Sequence, residues 1–85
     1  MNNPSSLSAL LKAIELCDGQ TALGLKIGRP QATVSAWVNR FMCVGVDSVL
    51  KVSKATNWQV TPHELRPDIY PHPQDGLPEH LRSAA

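Results

Sequence analysis

The sequence predicts an all-α fold. Apolar residues recur at helical spacing through most of residues 7–55, and no convincing strand alternation interrupts them. Gly, Pro and Asx residues fall between the periodic stretches, where helices end and begin.

The first element is "PSSLSALLKAIELC". It places Leu7, Leu10, Leu11 and Ile14 at i, i+3, i+4 and i+7, an amphipathic helix with Ser5 or Ser6 as its N-cap. Asp18–Gly19 ends it. A second, short helix runs from about Gln20 to Ile27 and buries Leu23 and Ile27, and Gly28 closes it where a left-handed residue is wanted. A third runs from Pro30 or Gln31 to about Phe41, with an apolar stripe of Val34, Trp37, Val38 and Phe41. The connector "FMCVGV" is more apolar than a surface loop, so it either seals the core or joins a dimer contact. Asp47 is then expected to cap a fourth helix containing Val49, Leu50, Val52 and Ala55. After the break at "NW", Thr61 as N-cap, Pro62 at the first position and Glu64 at the third form a capping box for a single-turn fifth helix.

These elements make one domain, residues 1–66. Residues 67–85 hold four of the seven prolines and read as an extended Pro-rich tail. Ile69 and Tyr70 are apolar within it and are expected to fold back onto the body or onto a partner subunit.

Charge separates along the same line. Residues 1–60 carry +3 and residues 61–85 carry −2, so the net +1 of the 85-residue chain hides a basic body and an acidic tail. No apolar run spans a membrane and the N-terminus lacks a basic-then-apolar leader, so the chain reads as cytoplasmic. Cys17 and Cys43 sit among apolar neighbours and read as reduced core residues. There is no CxxC, and His63, His72 and His80 lack ligand spacing, so neither metal nor cofactor is expected. No nucleophile motif is present and a domain this small leaves no room for a substrate pocket, so catalysis is not expected.

Two short helices joined by a Gly-containing turn, at about residues 20–40, describe a helix-turn-helix. Gly24 sits mid-helix at a cost of about 1 kcal/mol relative to Ala. Close crossing of the two helices accounts for it, and Gly24→Ala is expected to keep or raise stability.

The outward face of the third helix carries the functional expectation. With Val34, Trp37, Val38 and Phe41 inward, Ala32, Ala36 and Asn39 lie opposite, flanked by Thr33, Ser35 and Arg40, and Gln31 projects from the tip. No charged residue stands between Pro30 and Asn39. Solvated helix faces usually carry Lys and Glu. Small and amide side chains suit a major groove instead, where Gln and Asn bond adenine edges and methyl groups meet thymine. The alternative for this face is contact with another protein. Lys26, Arg29 and Arg40 flank it and can reach phosphates, although cations near helix C-termini also answer the helix dipole. Ser5, Ser6, Gln20 and Thr21 are further candidates for phosphate contact.

The blocks "DGQTALGLKIGRPQATVSAWVNR" and "VTPHELRPDIYP" resemble the Cro-like, YdaS-type regulators of lambdoid prophages, which are also described as antitoxins. The resemblance implies a five-helix, lambda-repressor-like domain that binds operator DNA as a dimer or higher oligomer. By position, Gln31, Ala32, Thr33, Ser35, Ala36 and Asn39 lie on its recognition helix. Arg29 and Pro30 depart from the usual aliphatic residue and Ser before Gln31, and Gly24 replaces the usual Ala. The expected function is therefore a sequence-specific repressor acting on double-stranded DNA. The alternative is an antitoxin that neutralises a toxin partner through its acidic tail.

Overall fold

Helix α1, Pro4–Leu16, starts on a proline, whose fixed φ and missing N–H suit the first helical position. The computed structural model describes residues 4–82. Ser5 and Ser6 lie inside the first turn of α1, so neither is the N-cap expected of them. Ser6 is buried, which also removes it from the candidate phosphate contacts. The inward face of α1 carries Ser6, Leu10, Ala13 and Cys17 at i, i+4, i+7 and i+11, with Ala9 beside them. Leu11, one residue round from Leu10, is exposed.

Three helices end alike. They are α1, α2 (Gln20–Ile27) and α4 (Val49–Ala55). In each, a left-handed residue precedes an N–H that reaches back five residues. Gly19 donates to the Ile14 carbonyl at 2.8 Å, Arg29 to Gly24 at 2.9 Å, and Trp58 to Ser53 at 2.8 Å. The left-handed residues are Asp18, Gly28 and Asn57, with φ of 69°, 74° and 55°.

Helix α3, Gln31–Ala36, runs on into a widened π turn, Trp37–Phe41, closed by Met42 at φ 56°. The i→i+5 bonding of such a turn adds a residue. One residue is about 100° of rotation, so Phe41 takes the angular place a plain helix gives to residue 40. It is 52% exposed and does not belong to the inward stripe expected of it, whereas Val34 and Trp37 are buried and Val38 is half-buried. In the connector, Val44 is wholly buried and seals the core, while Met42 and Val46 face outward.

A short 3₁₀ turn, Val46–Ser48, leads into α4. Ser48 holds the cap position without a side-chain capping bond, its hydroxyl donating to Asp47 Oδ1 at 3.5 Å, and the Asp47 carboxylate pairs with Arg29 instead of capping α4. Leu50 is exposed, and Val49 and Val52 face the core.

Helix α5, Pro62–Leu65, is closed by the expected capping box. The Glu64 N–H donates to Thr61 Oγ1 at 3.2 Å and the Thr61 N–H to Glu64 Oε1 at 3.1 Å. Thr61→Ala removes the first of these, and thermal denaturation should register a loss of about 1 kcal/mol, or roughly 4–8 °C in a domain of this size. An unchanged melting temperature would mean that packing of Leu65, not the cap, holds α5.

The described helices enclose one core. α1 touches α2, α4, α5 and the π turn, and α2 touches α3 and α4. Leu10, Leu23, Val34, Val44, Val49, Val52, Val60 and Leu65 have no exposed surface. Cys17 lies among them, and burial pushes its thiol above the ordinary cysteine value.

Beyond Leu65 the chain is a series of turns laid over α5. Arg66 donates to Asp68 through Nε at 2.9 Å and Nη2 at 2.7 Å, and to the Val44 carbonyl at 2.9 Å. The bonded pair raises the Arg66 pKa and lowers that of Asp68. His63 Nδ1 lies 2.7 Å from the Tyr70 carbonyl, so this nitrogen carries the proton. Tyr70 packs against the core while Ile69 stays exposed. Gly76 passes so close to α5 that a Cβ there would meet Pro62 at 2.9 Å. A last 3₁₀ turn covers Glu79–Leu81.

Candidate nucleic-acid interface

The site is built on the unit α2–turn–α3. Gly28, in the left-handed region, reverses the chain, and Pro30, extended at ψ 152°, sets the start of α3. Gly24 lies on the inner side of α2, against that turn. A Cβ at Gly24 would stand 2.5 Å from the Arg29 carbonyl oxygen and 3.6 Å from the Gln31 nitrogen. The contact is to backbone, which cannot swing aside. Alanine at position 24, expected to keep or raise stability, therefore does not fit without moving the turn.

That close approach brings the two helix tips together. Gln20 opens α2 and Gln31 opens α3, and Gln31 Nε2 donates to Gln20 Oε1 at 2.7 Å. Gln31, Ala32 and Asn39 are exposed, and Thr33, Ser35 and Ala36 are half-buried. Asn39 Nδ2 donates to Ser35 Oγ at 3.0 Å, so the two polar side chains of the last turns hold one another. Trp37 is buried and serves the core. The result is a polar edge, uncharged from Gln31 to Asn39 and opened by a coupled pair of amides.

The candidate phosphate residues scatter around this edge. Thr21 is exposed beside Gln20. Lys26 stands at the other end of α2, where it lines a shallow basic hollow with Lys51 and Lys54. Arg29 is bonded to Asp47. The Arg40 guanidinium lies over the Phe41 ring, 5.7 Å from its centre. Among the described residues, no cluster of His, Cys, Asp and Glu is placed to hold a metal ion.

Sequence reasoning missed two couplings, Gln20 with Gln31 and Arg29 with Asp47. Neither had a local signal: Gln20 lies a whole helix before the turn that leads to Gln31, and Arg29 and Asp47 lie on different elements, so each coupling depends on how those elements cross.

A family model described as bacterial toxin YdaS matches residues 10–74. The chain belongs to the YdaS family. YdaS proteins are small, prophage-associated and helix-turn-helix-like, and membership is compatible with a toxin–antitoxin role or with regulation. The matched span begins in α1, takes in α2 through α5 and runs past Tyr70, so the whole candidate interface falls inside the YdaS match. No curated protein and no solved structure matches the chain. No helix among the described residues of this YdaS chain is long and apolar enough to cross a membrane.

Proposed function

We propose that this YdaS chain is a sequence-specific DNA-binding regulator of Cro type, which sets the helix beginning at Gln31 into the major groove of an operator. The observation that carries the reading is the Gln31–Gln20 pair at the tip of an uncharged helix edge. A glutamine whose amide is already oriented presents a donor and an acceptor together, which is what an adenine edge requires. In this reading Gln31, Ala32, Thr33, Ser35, Ala36 and Asn39 meet bases, and Gln20, Thr21, Lys26 and Arg40 meet phosphates. Two copies, with their reading helices about 34 Å apart, would match a palindromic site.

Selection of binding sites from a random duplex pool tests this. Gln31→Ala is expected to weaken the selected operator by about 1–3 kcal/mol and to relax preference at defined positions. Lys26→Ala should weaken all sequences alike. Identical selected motifs for wild type and Gln31→Ala would remove the reading face.

The family description favours a second reading, in which the chain is one member of a toxin–antitoxin pair. The acidic, Pro-rich tail, residues 67–85 with Asp68, Asp75 and Glu79, is the natural contact for such a partner. Removing residues 67–85, which follow α5, should spare operator binding. Loss of growth rescue, or of growth arrest, on the same deletion would assign the partner role to that segment.

A further inference from the structure

We propose that Asp47 is a positioning residue that occupies the Arg29 guanidinium as a built-in substitute for a DNA phosphate, keeping Arg29 off the duplex. The inference rests on the DNA-binding reading above and adds a residue to it. Carboxylate and phosphate offer a guanidinium the same paired oxygens. The acid that holds Arg29 in the free protein therefore competes with the backbone that Arg29 would otherwise grip.

The backbone beneath each partner is held in place. The Arg29 N–H is bonded to the Gly24 carbonyl at 2.9 Å, and the Arg29 carbonyl is pressed against Gly24. On the other side, Gly45 lets the connector lie on Trp37. A Cβ at Gly45 would come within 3.1 Å of Trp37 Nε1 and 3.4 Å of Asp47 Oδ1. The Ser48 N–H, bonded to the Gly45 carbonyl at 2.9 Å, closes the turn that aims Asp47. The pair thus joins the turn before the reading helix to the connector after it. Its side chains are 37% and 70% exposed, so the pair itself is weak and its effect lies in where it directs one positive charge. Held this way, Arg29 adds no sequence-independent affinity, and discrimination rests on the glutamine and asparagine edge.

The test is a double-substitution cycle on the full chain, with affinity for a random-sequence duplex measured across a salt series. Arg29→Ala alone should leave affinity within about twofold of wild type, because Arg29 touches no phosphate. Asp47→Asn should tighten binding about threefold to tenfold and steepen the salt dependence by about 0.9, the signature of one added phosphate contact. Adding Arg29→Ala to Asp47→Asn should abolish that gain. A gain that survives without Arg29 would reduce the effect to a lost negative charge and overturn the proposal. So would an Arg29→Ala variant that by itself weakens binding and flattens the salt slope by about 0.9. Asp47→Asn preserves size at an exposed position, and its melting temperature checks the fold. A wild type that binds no duplex removes the DNA reading and this inference together, whereas a flat cycle on a wild type that binds removes only the role of Asp47.

Discussion

Leu23→Ala is expected to lower stability by about 2–5 kcal/mol. Leu23 has no exposed surface and belongs to α2, the helix that touches α1, α3 and α4. Truncation removes the burial energy of the missing methyl groups and leaves a cavity that three converging helices cannot all close. A domain of this length has about 4–13 kcal/mol in total, so the loss is a large part of the whole. Urea denaturation should show the midpoint falling steeply with an unchanged slope. The α2–turn–α3 unit should unfold with the rest, because the core is shared. A loss under about 1 kcal/mol would mean that the α2 interface is loosely packed.

Any side chain at position 24 is expected to be costly. Helix propensity alone favours Gly24→Ala by about 1 kcal/mol, since Gly24 is not in the left-handed region. Against this stands a methyl group 2.5 Å from the Arg29 carbonyl oxygen. Overpacking of this kind costs about 1–3 kcal/mol, and the obstructing atom is backbone, so relief requires the turn itself to move. The net result should be a loss for alanine and about 3 kcal/mol for Gly24→Val, whose branches press further into the same turn. The turn carries Gln31 away from Gln20 as it moves, so under the proposed DNA-binding function affinity for duplex should fall more than stability alone explains. A higher melting temperature for Gly24→Ala would contradict the close approach.

The parts of the fold that were legible are those with local causes. α2 ends at Ile27 because the next residue is a glycine able to take φ 74°. α5 starts at Pro62 because Thr61 and Glu64 satisfy each other's backbone. Burial of Val34 and Trp37, and the exposure of Ala32 and Asn39 opposite, followed from helical spacing. What escaped depends on partners distant in sequence or on a change of helical pitch. Nothing in the apolar pattern marks the π turn that turns Phe41 outward, and nothing near Asp47 announces that its partner is Arg29. The inner face of α1 is set by Ser6, Ala9 and Ala13 as much as by leucine, because small residues let neighbours approach. At the candidate interface, the composition of the edge was readable, but the amide coupling that orients Gln31 required the crossing of two helices to be known.

The widened turn at Trp37–Phe41 amounts to one surplus residue absorbed within a helix. A chain shorter by one residue there would close an ordinary α-turn and leave the aromatic ring at the same outward angle, because the widened turn already holds the residues after it in the register of a helix one residue shorter. The apolar rim formed by Phe41 and Met42 is therefore indifferent to that one residue. In evolutionary terms, the turn is a place where a single codon can be gained or lost while the rim and the core around Val34 and Trp37 keep their positions.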